Sequence, residues 1–293
     1  MTAEIDTQES LGKEWNLFEK HLKRIRNYQL EWPSNMLEIP RPTIHRILRC
    51  DLNKNPHHIQ AFHNLQEEDY PRRAAMCTEI TNQIESVNLI NKILFSDEAT
   101  FHTCGKVNRH NCRIWADEKP PNFLEWERDR PKVNIWLGMT QSKVYGPFFF
   151  AEATVTGPVY LDVLEQFLEP QLLTDGILDT VVFQQDGALC HYAIIVRDYL
   201  DRCFPGRWVG RGGTQPGAAR SPDLTPLDFF AWGFIKSKVY TGRGISDLAE
   251  IRNRIIDAVQ NITTQMLESV FRETIYRFEL CRDTDGRNVE TNK

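Results

Sequence analysis

Long hydrophobic runs are missing from this chain. Within its 293 residues no apolar stretch approaches the ~18–20 residues of a helical membrane span, so no membrane partner is expected. The first residues, Met1-Thr2-Ala3-Glu4-Ile5-Asp6, are acidic and lack an apolar centre, unlike a secretory leader. Close cysteine pairs are missing as well. The seven cysteines lie scattered without a Cys-x-x-Cys unit, which argues against a zinc ribbon and for a reducing, intracellular setting. The eight histidines show no metal-ligand spacing, and His57-His58 reads as an exposed loop pair. An excess of positive charge is also absent. The net charge of −5 excludes a protein that coats nucleic acid through bulk charge. There are no internal repeats and no low-complexity tract.

What is present is a globular composition, with 41% hydrophobic and 11% aromatic residues, and positive charge gathered into islands. The islands are His21 to Arg26, Arg41 to Arg49, Arg72-Arg73, Arg109 to Arg113, Arg128 to Lys132 and Lys236 to Arg243. Residues 1–33 carry helical spacing at Trp15, Phe18, Leu22 and Ile25. Pro40 and Pro42 then open a short helix with Ile44, Ile47 and Leu48 on one face. Arg41, Thr43, His45, Arg46 and Arg49 occupy the rest of it, the pattern of a helix that enters a major groove at the end of a helix-turn-helix unit. Residues 51–71 read as a linker and 72–87 as a helix. From Leu89 the pattern turns to strands: 93–99, a return over 112–116, a hairpin of 133–140 with 144–151, and a buried strand at 180–185. Helices are expected over 159–173, 188–203, 226–240 and in 247–280. This order predicts an α/β fold, a mixed sheet with helices on both faces on the ribonuclease H-like plan, preceded by a small all-α helix-turn-helix remnant. The expected division is 1–50 helical remnant, 51–88 linker and helix, 89–245 catalytic domain and 246–293 C-terminal helices packing on it.

Three acidic signatures carry the chemistry: Ile93-Leu94-Phe95-Ser96-Asp97-Glu98, Val181-Val182-Phe183-Gln184-Gln185-Asp186-Gly187 and Ser221-Pro222-Asp223-Leu224-Thr225-Pro226-Leu227-Asp228. Strand alternation sets Asp97 on the face of Ile93 and Phe95, and Glu98 on the other, so only one of the two can point into a shared site. Asp186 ends a central strand, where α/β proteins place ligands, although Asp-Gly is also an ordinary turn. Asp228 sits where Thr225, Pro226 and an acid would form a near capping box, a rigid mount for a ligand. Asp223 is the rival third acid. Two carboxylates ~4 Å apart repel by ~4 kcal/mol at an effective dielectric of about 20. Convergence of Asp97, Asp186 and Asp228 therefore calls for a cation, and a pair of Mg²⁺ or Mn²⁺ ions suits such oxygen donors.

Taken together the motifs resemble the mariner-type DNA transposases, within the wider class of DDE/D transposases and integrases. The resemblance rests on Phe95-Ser96-Asp97-Glu98-Ala99-Thr100-Phe101, Gly105-Lys106-Val107-Asn108-Arg109-His110-Asn111 and Val133-Asn134-Ile135-Trp136-Leu137-Gly138. It continues through Gln184-Gln185-Asp186-Gly187-Ala188 with His191, and Ser221 to Phe230 with Trp232-Gly233. It covers roughly residues 35–290. It implies metal-binding catalytic acids at Asp97, Asp186 and Asp228, cleavage at transposon ends, and transfer of the freed 3′-OH to target DNA. It implies DNA contact by Asn108, Arg109, His110 and His191, double-stranded DNA as partner, a homodimer, and work in the nucleus. The chain departs from the family at its N-terminus, where only one helix of the expected helix-turn-helix units is recognisable, at Leu189-Cys190, and at Gly212 to Ala219. These departures keep a second function open, a decayed or host-retained copy that binds nucleic acid without cutting it. A generic nuclease acting on RNA hybrids is disfavoured by the Ser221–Phe230 signature.

Overall fold

The computed structural model describes residues 41–51, 55–58, 65–103, 113–116, 131–213, 217, 220–241 and 244–292. In chain order the principal elements are α1 (Arg41–Arg46), β1 (Asn55–His58), α2 (Asp69–Val87), β2 (Ile93–His102), β3 (Arg113–Ala116), β4 (Lys132–Met139) and β5 (Val144–Phe149). Then follow α3 (Gly157–Asp162), α4 (Glu169–Thr174), β6 (Val182–Gln184), α5 (Ile194–Cys203), β7 (Trp208–Val209), α6 (Trp232–Val239), α7 (Leu248–Gln260) and α8 (Thr264–Asp283). Wider helical turns continue α1 over Ile47–Asp51, join α3 to α4 over Val163–Leu168, and precede α6 over Leu227–Ala231.

The chain divides into two units, Met1–Ala61 with Val107–Glu127, and Phe62–Lys106 with Arg128–Lys293. In the first unit β1 and β3 pair antiparallel, with Asn55 opposite Ala116. This corrects two expectations. His57-His58 lies in a strand rather than a loop, and 112–116 does not return along 93–99. The reason is that both edges of β2 are already taken, by β4 and by β6. The helix spacing expected over 1–33 lies outside the described residues.

In the second unit the sheet runs β5-β4-β2-β6-β7, antiparallel from β5 to β2 and parallel from β2 to β7. One face buries Ile93, Phe95, Trp232, Ile255 and Phe271 against the C-terminal helices, with Phe95 and Phe271 edge to face at 5.8 Å. The other buries Leu94, Trp136, Tyr160, Leu164, Phe183 and Phe204. Burial on both faces is why Ile93-Leu94-Phe95 and Val181-Val182-Phe183 are unbroken apolar runs instead of alternating ones. The domain boundary expected near residue 89 falls earlier, because α2 belongs to this unit and packs on α8. α7 and α8 belong to it too.

The helix expected over 188–203 is helical only from Ile194. Ahead of it the Asp186 carboxylate accepts the Ala188 amide at 2.9 Å, which holds the chain in a turn. The capping box expected at Thr225 does not form. Thr225 offers its backbone carbonyl to the amides of Asp228 and Phe229, and its hydroxyl donates back to Ser221 O at 3.4 Å.

Candidate carboxylate site

The parallel pairing of β2 with β6 sets Phe95 opposite Gln184. Asp97 and Asp186 each follow two residues later, so Asp97, midway along β2, lies beside the point where the chain leaves the end of β6 toward Asp186, on neighbouring strands about 4.8 Å apart. Asp228 comes from the helical turn that packs on β2. Four residues further on, Trp232 donates its indole Nε1–H to Asp97 Oδ2 at 2.6 Å. The two lie on one side of the helix start, which turns Asp228 toward the same edge.

The three acids act on one another. Burial, reinforced by the charges of Asp228, Glu98 and Asp186, holds the Asp97 carboxyl well above the usual range, against the Trp232 hydrogen bond. Burial, and after it the charge of Asp186, pushes Asp228 up to about 7, with Lys236 opposing. Asp186 goes the other way. Burial would raise it, but His191 and the Ala188 amide bring it below its ordinary value.

His191 is the centre of that difference. Its side chain is 1% exposed, with Nδ1 2.6 Å from Asp186 Oδ1 and Nε2 3.2 Å from Glu98 Oε2. Burial works against the imidazolium, and Tyr160, Glu98 and Asp186 together override it and hold the His191 pKa well above its usual value. Tyr160, whose own hydroxyl burial pushes up, is neutral at physiological pH, so the two carboxylates are what keep the ring charged. The Tyr160 ring lies 4.1 Å from the imidazole, and its hydroxyl donates to Gln185 Oε1 at 3.0 Å.

This corrects the expectation that His191 touches DNA, since a ring so enclosed braces acids instead. Of the other expected contacts, Arg46 and Arg49 are exposed on the first unit's helical segment and Thr43 is half-buried. Arg41 and His45 share that helix, while Asn108, Arg109 and His110 lie outside the described residues. In the Arg72-Arg73 island Arg72 is exposed but Arg73 is wholly buried. Its guanidinium donates to both Asp223 oxygens at 2.8 and 2.7 Å, to Ser221 Oγ at 2.7 Å and to Gly286 O at 2.8 Å. The Val289 amide donates to Asp223 Oδ2 at 3.1 Å and Arg277 to its backbone carbonyl at 2.7 Å. Gly286 has φ +82°, and a Cβ there would lie 2.0 Å from Tyr70 O, so only glycine closes this clasp. Asp223 is thereby spoken for, which removes it as rival third acid.

As donors, Asp97, Asp186 and Asp228 are hard oxygens of like charge, the set a divalent cation suits. Two residues before Asp186, Gln184 Oε1 is buried without a hydrogen-bond partner among the described residues. The acids are not yet gathered into one coordination sphere: among the described residues no three His, Cys, Asp or Glu side chains are close enough to enclose an ion. Asp97 is turned to Trp232 and Asp186 to His191. A cleft of about 240 Å³ beside Glu98, lined by Thr100, Lys132 and Asn134, lies along the sheet and not at the three acids.

Acids from the middle of a central strand, the end of its parallel neighbour and a helix start, on a mixed sheet covered on both faces, give the layout of a ribonuclease H-like protein. Comparison with known proteins agrees. The Tc3 transposase of Caenorhabditis elegans is 28% identical over 203 residues, 68% of this chain, and the chain spans 58% of that relative's length. The mariner Mos1 paired-end complex with Mg superposes with a TM-score of 0.65 at 19% identity, covering 92% of this chain and 78% of the other. The catalytic domain of Mos1 mariner transposase gives 0.58 at 20% identity, covering 78% of this chain and 98% of the domain. No family model matches the sequence. The fold is therefore ribonuclease H-like and shared with the Mos1 mariner transposase, and in sequence the chain is similar to the Tc3 transposase.

Sequence reading overlooked Trp232 as a site residue and gave His191 a different role, DNA contact. Each had a local signal, Trp232 four residues after Asp228 and His191 five after Asp186, but neither spacing names the partner.

Proposed function

We propose that the chain is a metal-dependent DNA transposase that cleaves phosphodiester bonds at transposon ends and joins the freed 3′-OH to target DNA. The observation that carries this reading is that Asp97 and Asp228, from separate segments, are both raised by burial and by the charge of neighbouring acids, Asp186 among them. The sequence likeness to a transposase and the fold shared with Mos1 support it. Asp97, Asp186 and Asp228 would hold Mg²⁺ or Mn²⁺, two ions in this reading, and Mos1 mariner paired-end complexes are solved with Mn and with Mg. Ions bound there supply activation of the attacking water or hydroxyl and neutralise the charge on the leaving oxygen.

The chain's own side chains have separate tasks. Trp232 orients Asp97, and His191 holds Asp186 and Glu98 through one buried ring. Arg46 and Arg49, which are exposed, would meet phosphates in this reading, a contact that positions a protein without choosing sequence. A dimer on two DNA ends, acting in the nucleus, belongs to the same reading.

The separation of the acids, two of them engaged elsewhere, favours a second reading: a retained copy that binds DNA without cutting it. One assay separates the two. The protein is incubated with nicked, inverted-repeat and random duplexes in Mg²⁺ or Mn²⁺, beside Asp186→Ala and Asp97→Asn. Cleavage by the native chain that both variants lose, with DNA binding nearly intact, supports the transposase. Binding without cleavage supports the second reading.

A further inference from the structure

The loop after β6 and the first turn of α5 concentrate exposed apolar surface. Leu189 is 84% exposed, Ile194 67%, Ile195 44% and Tyr192 38%, all within seven positions. Single exposed apolar residues need no explanation, but a contiguous patch beside a candidate site does.

Two arginines frame it. The guanidinium carbons of Arg197 and Arg211 lie 4.5 and 4.3 Å from the centre of the Tyr192 ring, inside cation–π range. Among the described residues neither arginine meets a carboxylate, and Arg197 Nε is buried with no hydrogen-bond partner. Gly212 has φ +87°, and a Cβ there would approach Arg197 Cδ to 3.1 Å and Tyr192 Cε2 to 3.2 Å. The start of the stretch that departs from the family pattern is thus packed tightly onto the ring. Arg211 reaches back across the loop: a Cβ on Gly187 would stand 3.8 Å from Arg211 Cβ, next door to Asp186.

We propose that Leu189, Tyr192, Ile194, Arg197 and Arg211 form a platform for unpaired nucleotides of a DNA strand leaving the carboxylate edge. The guanidinium groups meet phosphates, and Tyr192 is a positioning residue that holds the two of them at fixed separation. The apolar side chains carry base faces. A duplex keeps its base faces stacked inside, so apolar side chains in this place have use only for an unstacked strand. A second copy of this chain is a poorer occupant, because a symmetric contact would bring uncompensated guanidinium groups face to face and bury them. The proposal rests on the DNA reading above and deepens it.

The test is equilibrium binding of the full chain, without divalent metal, to a labelled duplex bearing a single-stranded 3′ overhang and to its blunt counterpart. The native chain is expected to prefer the overhang. Tyr192→Ala and the double change Arg197→Ala/Arg211→Ala are expected to weaken overhang binding about tenfold, with blunt binding nearly unchanged. Tyr192→Phe, which keeps the ring, is expected to restore it. The dependence of log affinity on log salt should flatten by about 0.7 for each arginine removed. Unchanged overhang affinity and salt slope in these variants, while the native chain binds DNA, overturn the platform and leave the transposase reading standing. If Leu189→Asp turns a dimer into a monomer without altering overhang binding, the patch joins two copies and the platform is likewise overturned. A native chain that binds neither duplex sinks both readings. Leu189, Tyr192 and Arg211 are exposed and Arg197 is half-buried, and circular dichroism checks that each variant folds.

Discussion

Trp232 donates to Asp97 across 135 positions of sequence, at 2.6 Å. The bond opposes the burial and repulsion that push the Asp97 carboxyl up, so the indole keeps this acid closer to its ionised form. The same ring packs edge to face on Phe101 with centroids 6.4 Å apart. A single side chain thus fixes both the direction and the charge of the innermost acid.

Trp232→Phe retains the ring contact and removes the donor. The Asp97 pKa should climb further, and affinity for Mn²⁺ should fall about 10–100-fold, the usual loss when a group that orients a ligand is removed. Calorimetric titration with Mn²⁺ measures it. An affinity equal to that of the native chain would detach Asp97 from any metal role.

Asp228 makes metal-free stability depend on pH. Its carboxyl is raised in the fold to about 7, above the ~3.9 of an unfolded chain. Between these values the folded state holds more protons than the unfolded one, so stability declines as pH rises from about 4 to about 7 and then levels. Asp97 is shifted in the same direction and adds to the decline. Urea denaturation at a series of pH values should show this slope, and Asp228→Asn should flatten it. Added Mg²⁺ should offset the loss above pH 7, since ligation favours the ionised acids. A slope in Asp228→Asn equal to that of the native chain would mean that Asp228 is ionised at little cost in the folded protein.

The Arg73–Asp223 clasp is the mount of the third acid. Both partners are buried, and the pair ties α2 to the turn five residues before Asp228 and to the segment around Gly286. Arg73→Met leaves the Asp223 carboxylate enclosed without its partner and should cost about 3–5 kcal/mol in urea denaturation. Arg73→Met/Asp223→Leu should recover much of that, because no buried charge remains. Equal losses in the single and double variants would show that the ion pair does not couple the two residues.

Much of the architecture was legible because it follows from local rules. Two-sided burial writes itself as apolar runs around Ile93–Phe95 and Val181–Phe183, and acids at the ends of such runs stand out. Period-two alternation correctly separated Asp97, on the Phe95 face, from Glu98, which faces His191. What misled was pairing. The segment 113–116 looks like a return strand by composition, and composition does not say that β4 and β6 have already filled both edges of β2. The capping pattern at Thr225 misled similarly, because its hydroxyl finds Ser221 O instead.

The sequence by itself determined which acids exist, that Asp97 lies on a strand, Asp186 after one and Asp228 at a helix start, and the order of strands and helices that makes the fold ribonuclease H-like. These are properties of neighbours along the chain, set by alternation, helical spacing and turn chemistry. Only the tertiary structure decided who meets whom: Trp232 with Asp97 over 135 residues, Arg73 with Asp223 over 150, His191 with Glu98 over 93. Such partners are chosen by the packing of distant segments, where one hydrogen bond or one buried charge is settled by the shape of the whole core and leaves no periodic mark in the chain.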